Sequence, residues 1–209
     1  MKKQQGAVLI VSLIILLVTT LLGVTAMQST SLEMRMAKNV EERQRVFNAA
    51  EAALRRAENI LQATPYTYTQ LDSSVCAAAS DQSTCFDDDC TGGYCFFGDS
   101  TAPDQGDCLV YDGAPPDFPV WNSNNSLNVW NTGRYRELAA INESTANEVT
   151  FKYVVEFQCY VDGLSGEVFY SDLTPQNGGD ALYRVTVLAT NANAKINVML
   201  QSTYGVPMP

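Results

Sequence analysis

Ala7-Val-Leu-Ile-Val-Ser-Leu-Ile-Ile-Leu-Leu-Val-Thr-Thr-Leu-Leu-Gly-Val-Thr-Ala-Met27 is an apolar run without a single charge. At about 20 residues and about 1.5 Å of rise each, it is long enough to cross a bilayer as one helix. Its Ser and Thr hydroxyls can bond back to helix carbonyls, so they cost little in lipid. Lys2 and Lys3 precede the run and are expected to stay in the cytoplasm, with the rest of the chain outside. Residues 28–62 follow without Pro or Gly and are rich in Ala, Glu, Arg, Leu, Met and Gln. Leu32, Met36, Val40, Phe47, Ala50, Leu54, Ala57 and Leu61 recur along them at helical spacing, which predicts one apolar stripe beside a charged face. One helix is therefore expected from about residue 7 to about residue 62, roughly 80 Å long. Pro65 ends the pattern.

Three readings of this N-terminus compete. Val24-Thr25-Ala26 offers the small residues of an ordinary signal-peptidase site, but the apolar run exceeds the usual core of a signal peptide. A plain single-span anchor is the second reading. The third is a short leader cut before the apolar run. Gly6, at the junction of polar leader and apolar run, favours the third, as does the unbroken helical pattern that follows.

The remaining 147 of the 209 residues have a different character. Residues 63–209 carry five Lys/Arg against eighteen Asp/Glu, a net of −13, whereas residues 1–62 carry a net of +3. An acidic body argues against nucleic-acid binding, which needs a basic surface. The chain has no histidine, which excludes Ser-His-Asp and Cys-His chemistry, and it has no Gly-rich phosphate loop. Cys76, Cys85, Cys90, Cys95, Cys108 and Cys159 all lie outside the apolar run. An even count suits an oxidising compartment and up to three disulfides, whose connectivity spacing does not choose. With no Cys-x-x-Cys pair and no His, zinc is disfavoured.

Val149–Val161 is rich in β-branched and aromatic residues and reads as a strand. Leu182–Ala189 and Ala194–Tyr204, joined by Thr190-Asn-Ala-Asn193, read as a hairpin. Residues 63–148 read mostly as loop with short elements, stapled by five of the six cysteines, with Cys159 tying the loop to the sheet. The fold class is thus α+β: a long N-terminal helix packed on an antiparallel sheet, with a disulfide-stapled, loop-rich insertion. Asp87, Asp88 and Asp89, with Asp99, Asp104 and Asp107 nearby, are weak calcium candidates beside the alternative of a solvated acidic loop. No other cofactor is expected. Trp121 and Trp130 are candidates for a sugar-binding face or, more simply, plugs of a small core. A carboxylate pair such as Asp87/Asp89 is the sole catalytic candidate, and nothing in the sequence places it in a cleft, so the chain is read as non-enzymatic.

Lys2-Lys-Gln-Gln-Gly6 followed by Ala7-Val-Leu-Ile-Val11 resembles the type III prepilin leader. Ser29-Thr-Ser-Leu-Glu-Met-Arg-Met-Ala-Lys-Asn39 and Ala49-Ala-Glu-Ala-Ala-Leu-Arg-Arg-Ala-Glu58 look like the PilX minor pilins of type IV pili, relatives of the GspK pseudopilins of type II secretion. Tyr183-Arg-Val-Thr-Val-Leu-Ala-Thr190 and Val198-Met-Leu-Gln-Ser-Thr-Tyr204 are similar to the end of the same family. The resemblance covers residues 1–62 and 182–204; the Cys-rich middle carries none.

The resemblance implies a leader at 1–6, removed by prepilin peptidase between Gly6 and Ala7, and N-methylation of Ala7 by the same enzyme. It implies a membrane and filament-core helix at 7–27, an amphipathic helix at 28–62 packing on the head, a Cys-rich loop region at 63–148 and a sheet at 149–209. The implied life cycle runs from the inner membrane, with a periplasmic head, to an extracellular pilus. The implied partners are other minor pilins, the major pilin and a tip adhesin, and the implied processes are priming of pilus assembly, adhesion, twitching motility and DNA uptake. The sequence departs from major pilins at two places: Ala7 stands where Phe begins their mature chain, and Val11 where they carry Glu. That Glu neutralises the terminal ammonium of a neighbour already in the filament. A subunit without it suits the tip, where no earlier neighbour exists; the alternative is that the Glu is dispensable here. Two other functions stay open: a type II secretion pseudopilin, and a membrane-anchored, disulfide-rich binding protein outside any filament.

Overall fold

The structure is a computed structural model that describes residues 7–64, 66–71, 85–96, 120–122, 125, 127–141, 148–161 and 180–207. Helix α1 runs without interruption over Ala7–Ala63, close to the bounds that the helical spacing predicts. Short helices α2 (Tyr68–Leu71) and α3 (Val129–Thr132) and a 3-10 turn at Thr91–Gly93 follow. The strands are β1 (Tyr94–Cys95), β2 (Arg136–Ile141), β3 (Val149–Val161), β4 (Asp180–Asn191) and β5 (Asn197–Pro207). The chain divides into two compact units, Met1–Arg45 and Val46–Pro209.

In the second unit the sheet order is β1-β3-β4-β5, with β2 also paired to β3. β4 pairs with β3 from Val149 to Val161. β2 and β1 therefore share the other side of β3, at Val149–Tyr153 and at Val155–Glu156. The neighbouring pairs β2/β3, β3/β4 and β4/β5 are antiparallel, the last two as the sequence predicts, but β1 runs parallel to β3, so the sheet is mixed. A two-residue strand carries no periodicity, and neither its direction nor its existence is readable from composition.

One core lies on the helix side of the sheet. Val46, Ala50, Ala53, Ala57 and Leu61 of α1 are buried with Phe151, Tyr153, Val155 and Phe157 of β3 and Tyr183, Val185, Val187 and Ala189 of β4. The buried helix face keeps Ala50, Ala57 and Leu61 of the expected stripe and adds Val46 and Ala53, while Leu54 is half-buried and Phe47 stays 38% exposed. The reason is steric. Three alanines present almost no side chain, which lets the helix backbone approach large rings, and the rings supply the volume. Phe86, Tyr94, Phe157 and Tyr183 form an aromatic cluster with Tyr66, with centroid separations of 4.9 to 6.4 Å.

A second, smaller core covers the opposite sheet face. Cys90, Cys95, Val120, Val129 and Val154 are its buried members, with Trp121, Leu127, Trp130 and Tyr135 packed against it. Burial on both faces explains why β3 reads as nearly continuous apolar sequence rather than as clean alternation.

The β4–β5 turn is set by Asn191. Its side-chain oxygen accepts from the backbone N–H of Lys195 (2.9 Å) and Ile196 (3.1 Å), and its carbonyl accepts from Ala194 N–H (2.8 Å). The turn thus falls two to three residues later than Thr190–Asn193. Asn191→Ala strands two backbone donors and is expected to cost about 1–2 kcal/mol in urea unfolding of the full chain; no change would mean that water satisfies them.

Candidate functional site: an uncovered apolar helix and a stapled loop

From Val8 to Met27, the large apolar side chains of α1 are 47% to 77% exposed. Burying one such side chain is worth about 1.5–3 kcal/mol, so a chain does not leave this many open to water. The helix is long and apolar enough to cross a membrane by length and composition. Every hydroxyl between Ser12 and Thr25 is satisfied within the helix: Ser12 to the Leu9 carbonyl (2.9 Å), Thr19 to Ile15 and Leu16 (3.0 Å each), Thr20 to Leu17 (2.8 Å), and Thr25 to Leu21 and Leu22 (3.1 and 3.0 Å). The segment thus presents neither charge nor free hydroxyl outward, which is what a lipid or protein interior demands. Val11 lies on it as one more exposed apolar residue, where a carboxylate would be the one charged group. Further along the same unit, Leu32, Met34, Met36 and Val40 are also exposed, so the face buried in the head's core starts at Val46 rather than in the first turns after residue 28.

The stapled loop is built around Cys90–Cys95, a disulfide closing five residues of sequence. Cys85 and Cys159 are disulfide-bonded as well. Cys76 and Cys108 lie outside the described residues. Cys90 adopts φ 56 and Gly93 φ 84 to turn the chain into β1. At Gly93 a Cβ would sit 2.9 Å from the Arg136 backbone nitrogen, so the close approach of the loop to β2 requires glycine there.

The acidic triplet is dispersed. An Asp87 carboxylate oxygen accepts from the Thr91 N–H at 2.8 Å and so caps the 3-10 turn. Asp89 pairs with Arg134 at 2.7 Å, and the same guanidinium nitrogen donates to the Asp89 carbonyl. Asp88 points to solvent. Among the described residues no three acidic, Cys or His side chains come together to hold a metal ion. Asp99, Asp104 and Asp107 lie outside those residues. Asp87 and Asp89 are thus each tied to a partner in or beside the loop. Trp121 and Trp130 are half-buried against the second core, and the Trp130 indole N–H donates to the Trp121 carbonyl at 2.7 Å, so they serve as plugs.

Two features escaped the sequence. Glu156, 2% exposed on β3, receives a two-pronged hydrogen bond from Arg184 on β4, at 2.6 and 2.9 Å. Arg134, 45 residues from Asp89, anchors the stapled loop. The one available signal was β3 and β4 reading as antiparallel strands, which in the right register puts Glu156 opposite Arg184.

Burial pushes the phenol pKa values of Tyr66, Tyr153 and Tyr183 above the ordinary 10.0; at Tyr66 the hydrogen bond with Tyr94 adds to it. A raised folded-state value means the stabilisation is fully present below about pH 10 and is lost as pH rises toward the raised values. Head stability is therefore expected to be flat near neutrality and to fall above pH 10 by about 1.4 kcal/mol per pH unit for each tyrosine. Tyrosinate absorbance during urea unfolding measures this. Titration of all ten tyrosines near pH 10 with the head still folded would contradict the packing described.

The comparisons with known proteins agree with this architecture. The family model for the PilX N-terminal region matches residues 5–55. The model for the C-terminal region of type IV pilus assembly protein PilX matches residues 72–206, and so includes the Cys-rich middle, to which the motif resemblance does not extend. No curated protein and no solved structure matches the chain. An exposed apolar helix leading into a disulfide-stapled α+β head, matched across both regions, makes this chain a member of the PilX family of type IV pilus assembly proteins.

Proposed function

We propose that the chain is a minor pilin that primes assembly of a type IV pilus and sits at or near its tip. The carrying observation is the uncharged apolar surface of α1 from Val8 to Met27, with Val11 where an elongating subunit needs a carboxylate. In the inner membrane that surface faces lipid; on extraction it exchanges lipid for the helices of other subunits. Prepilin peptidase removes residues 1–6 between Gly6 and Ala7 and methylates the new amine of Ala7. The head stays periplasmic and then becomes extracellular, where its disulfides persist. The partners are other minor pilins, the major pilin and a tip adhesin. The role is structural, and it supports adhesion and twitching motility through the pilus.

Sheared pili test the role. The chain is expected in the sheared fraction at far below major-pilin amounts, with immunogold label at filament ends, and a deletion strain is expected to make few pili. Absence from sheared pili together with normal piliation in the deletion strain would overturn the role. Label spread along shafts would overturn the tip position.

A further inference from the structure

Strand β5 forms one margin of the sheet. It pairs with β4 through eleven consecutive residue pairs, from Asp180↔Pro207 to Thr190↔Asn197, with no break in register. Among the described residues no strand pairs with its other side. An open edge of this length is normally blunted by charge, by proline or by a bulge. β2, on the opposite margin, has such devices: Arg136, Glu137 and a register shift between Leu138 and Ile141. β5 has none before Pro207. No Asp, Glu, Lys or Arg occurs from Ile196 to Pro209.

The side chains of β5 also show an unfinished layer. Val198, Leu200, Ser202 and Tyr204 alternate on the helix side and are only half-buried, although Val198, Leu200 and Tyr204 pack against the main core. Ser202 donates to Glu58 of α1 at 2.6 Å, which holds the strand against the helix. On the other face Met199 is 40% exposed, with Gln201 and Thr203 beside it. A further strand would continue this alternation, apolar toward the helix and polar away from it.

Charge selects the occupant. The unit Val46–Pro209 carries seven Lys/Arg and twenty Asp/Glu, a net of −13, so a second copy brings an equally acidic body to the edge. We infer that the free edge of β5 takes an added strand from a different chain: an extended, non-acidic segment with apolar residues at alternate positions. The ladder supplies affinity and the half-buried row of Val198, Leu200 and Tyr204 supplies side-chain selection. This deepens the pilus reading by giving a partner contact a place, and it rests on that reading only for which pilus component supplies the strand.

The test uses the full chain in detergent micelles and a labelled peptide, acetyl-Lys-Val-Thr-Val-Thr-Val-Lys-amide. Binding is read by fluorescence anisotropy and located by hydrogen exchange. The peptide is expected to bind, with slower exchange in β5 and unchanged exchange in β2. A proline at the peptide's centre, or Glu at both its ends, is expected to weaken binding about tenfold. The Met199→Lys/Thr203→Lys variant, changed only at exposed side chains, is expected to do the same. No binding, equal binding of the proline peptide, or protection outside β5 overturns the inference. So does a concentration-dependent dimer with β5 protected in the absence of peptide, because a second copy is then the occupant. If the peptide fails while the chain proves to begin at methylated Ala7, only this inference fails. If the chain is unprocessed and the peptide binds, the edge stands and the pilus reading falls.

Discussion

Replacing Arg184 with methionine is expected to lower the unfolding free energy of the head by about 3–5 kcal/mol, the usual cost of leaving a buried charge without its partner. Glu156 is 2% exposed and receives both of its hydrogen bonds from the guanidinium of Arg184, whose side chain is 25% exposed. The methionine keeps the length and apolar stem of the arginine, so the loss measures the carboxylate and not a cavity. The double variant Arg184→Met/Glu156→Leu is expected to recover most of the stability, because two apolar residues of similar volume pack where the ion pair stood. Urea unfolding followed by tryptophan fluorescence reads the head alone, since Trp121 and Trp130 both lie in it. Equal losses in the single and double variants would mean that the position needs the pair for packing rather than for charge.

Tyr183 is expected to separate two effects at one site. Its ring is fully enclosed among Tyr66, Phe86 and Phe157. Tyr183→Ala opens a cavity in the aromatic cluster and is expected to cost about 3–5 kcal/mol. Its hydroxyl is buried without a hydrogen-bond partner among the described residues. Tyr183→Phe removes that unpaired group and keeps the ring, so it is expected to raise stability by about 1 kcal/mol. A loss in the phenylalanine variant would show that the hydroxyl is hydrogen-bonded in solution.

What the sequence made legible was whatever repeats over many residues. Helix α1, strand β3 and the β4–β5 hairpin each carry eleven or more residues of consistent pattern, and each formed where expected within a few residues. Elements of two to six residues did not announce themselves. β1 and β2 fall in the stretch read as mostly loop with short elements, where none was located, and Arg136-Glu-Leu-Ala-Ala-Ile141 has the composition of a helix, which pairing with β3 overrides. Much of the helix face was legible, since Ala50, Ala57 and Leu61 of the expected stripe are buried; Ala53 was missed, because alanine counts weakly in any apolar pattern. Of the candidate site, the apolar helix was read directly. The acidic triplet was not, since the pairing of Asp89 with Arg134 and the capping of Thr91 by Asp87 depend on loop geometry. For the same reason the turn fell at Asn191, whose side-chain hydrogen bonds carry no long-range signal.

Processing at Gly6–Ala7 is the point on which the pilus reading turns, because it separates a filament subunit from a plain anchor and from a secreted head. The intact mass of the protein purified from its native membrane tests it directly. A chain beginning at methylated Ala7, lighter by two hydrogens for each disulfide, is the expected result. A chain beginning at Met1 or at Met27 would contradict it.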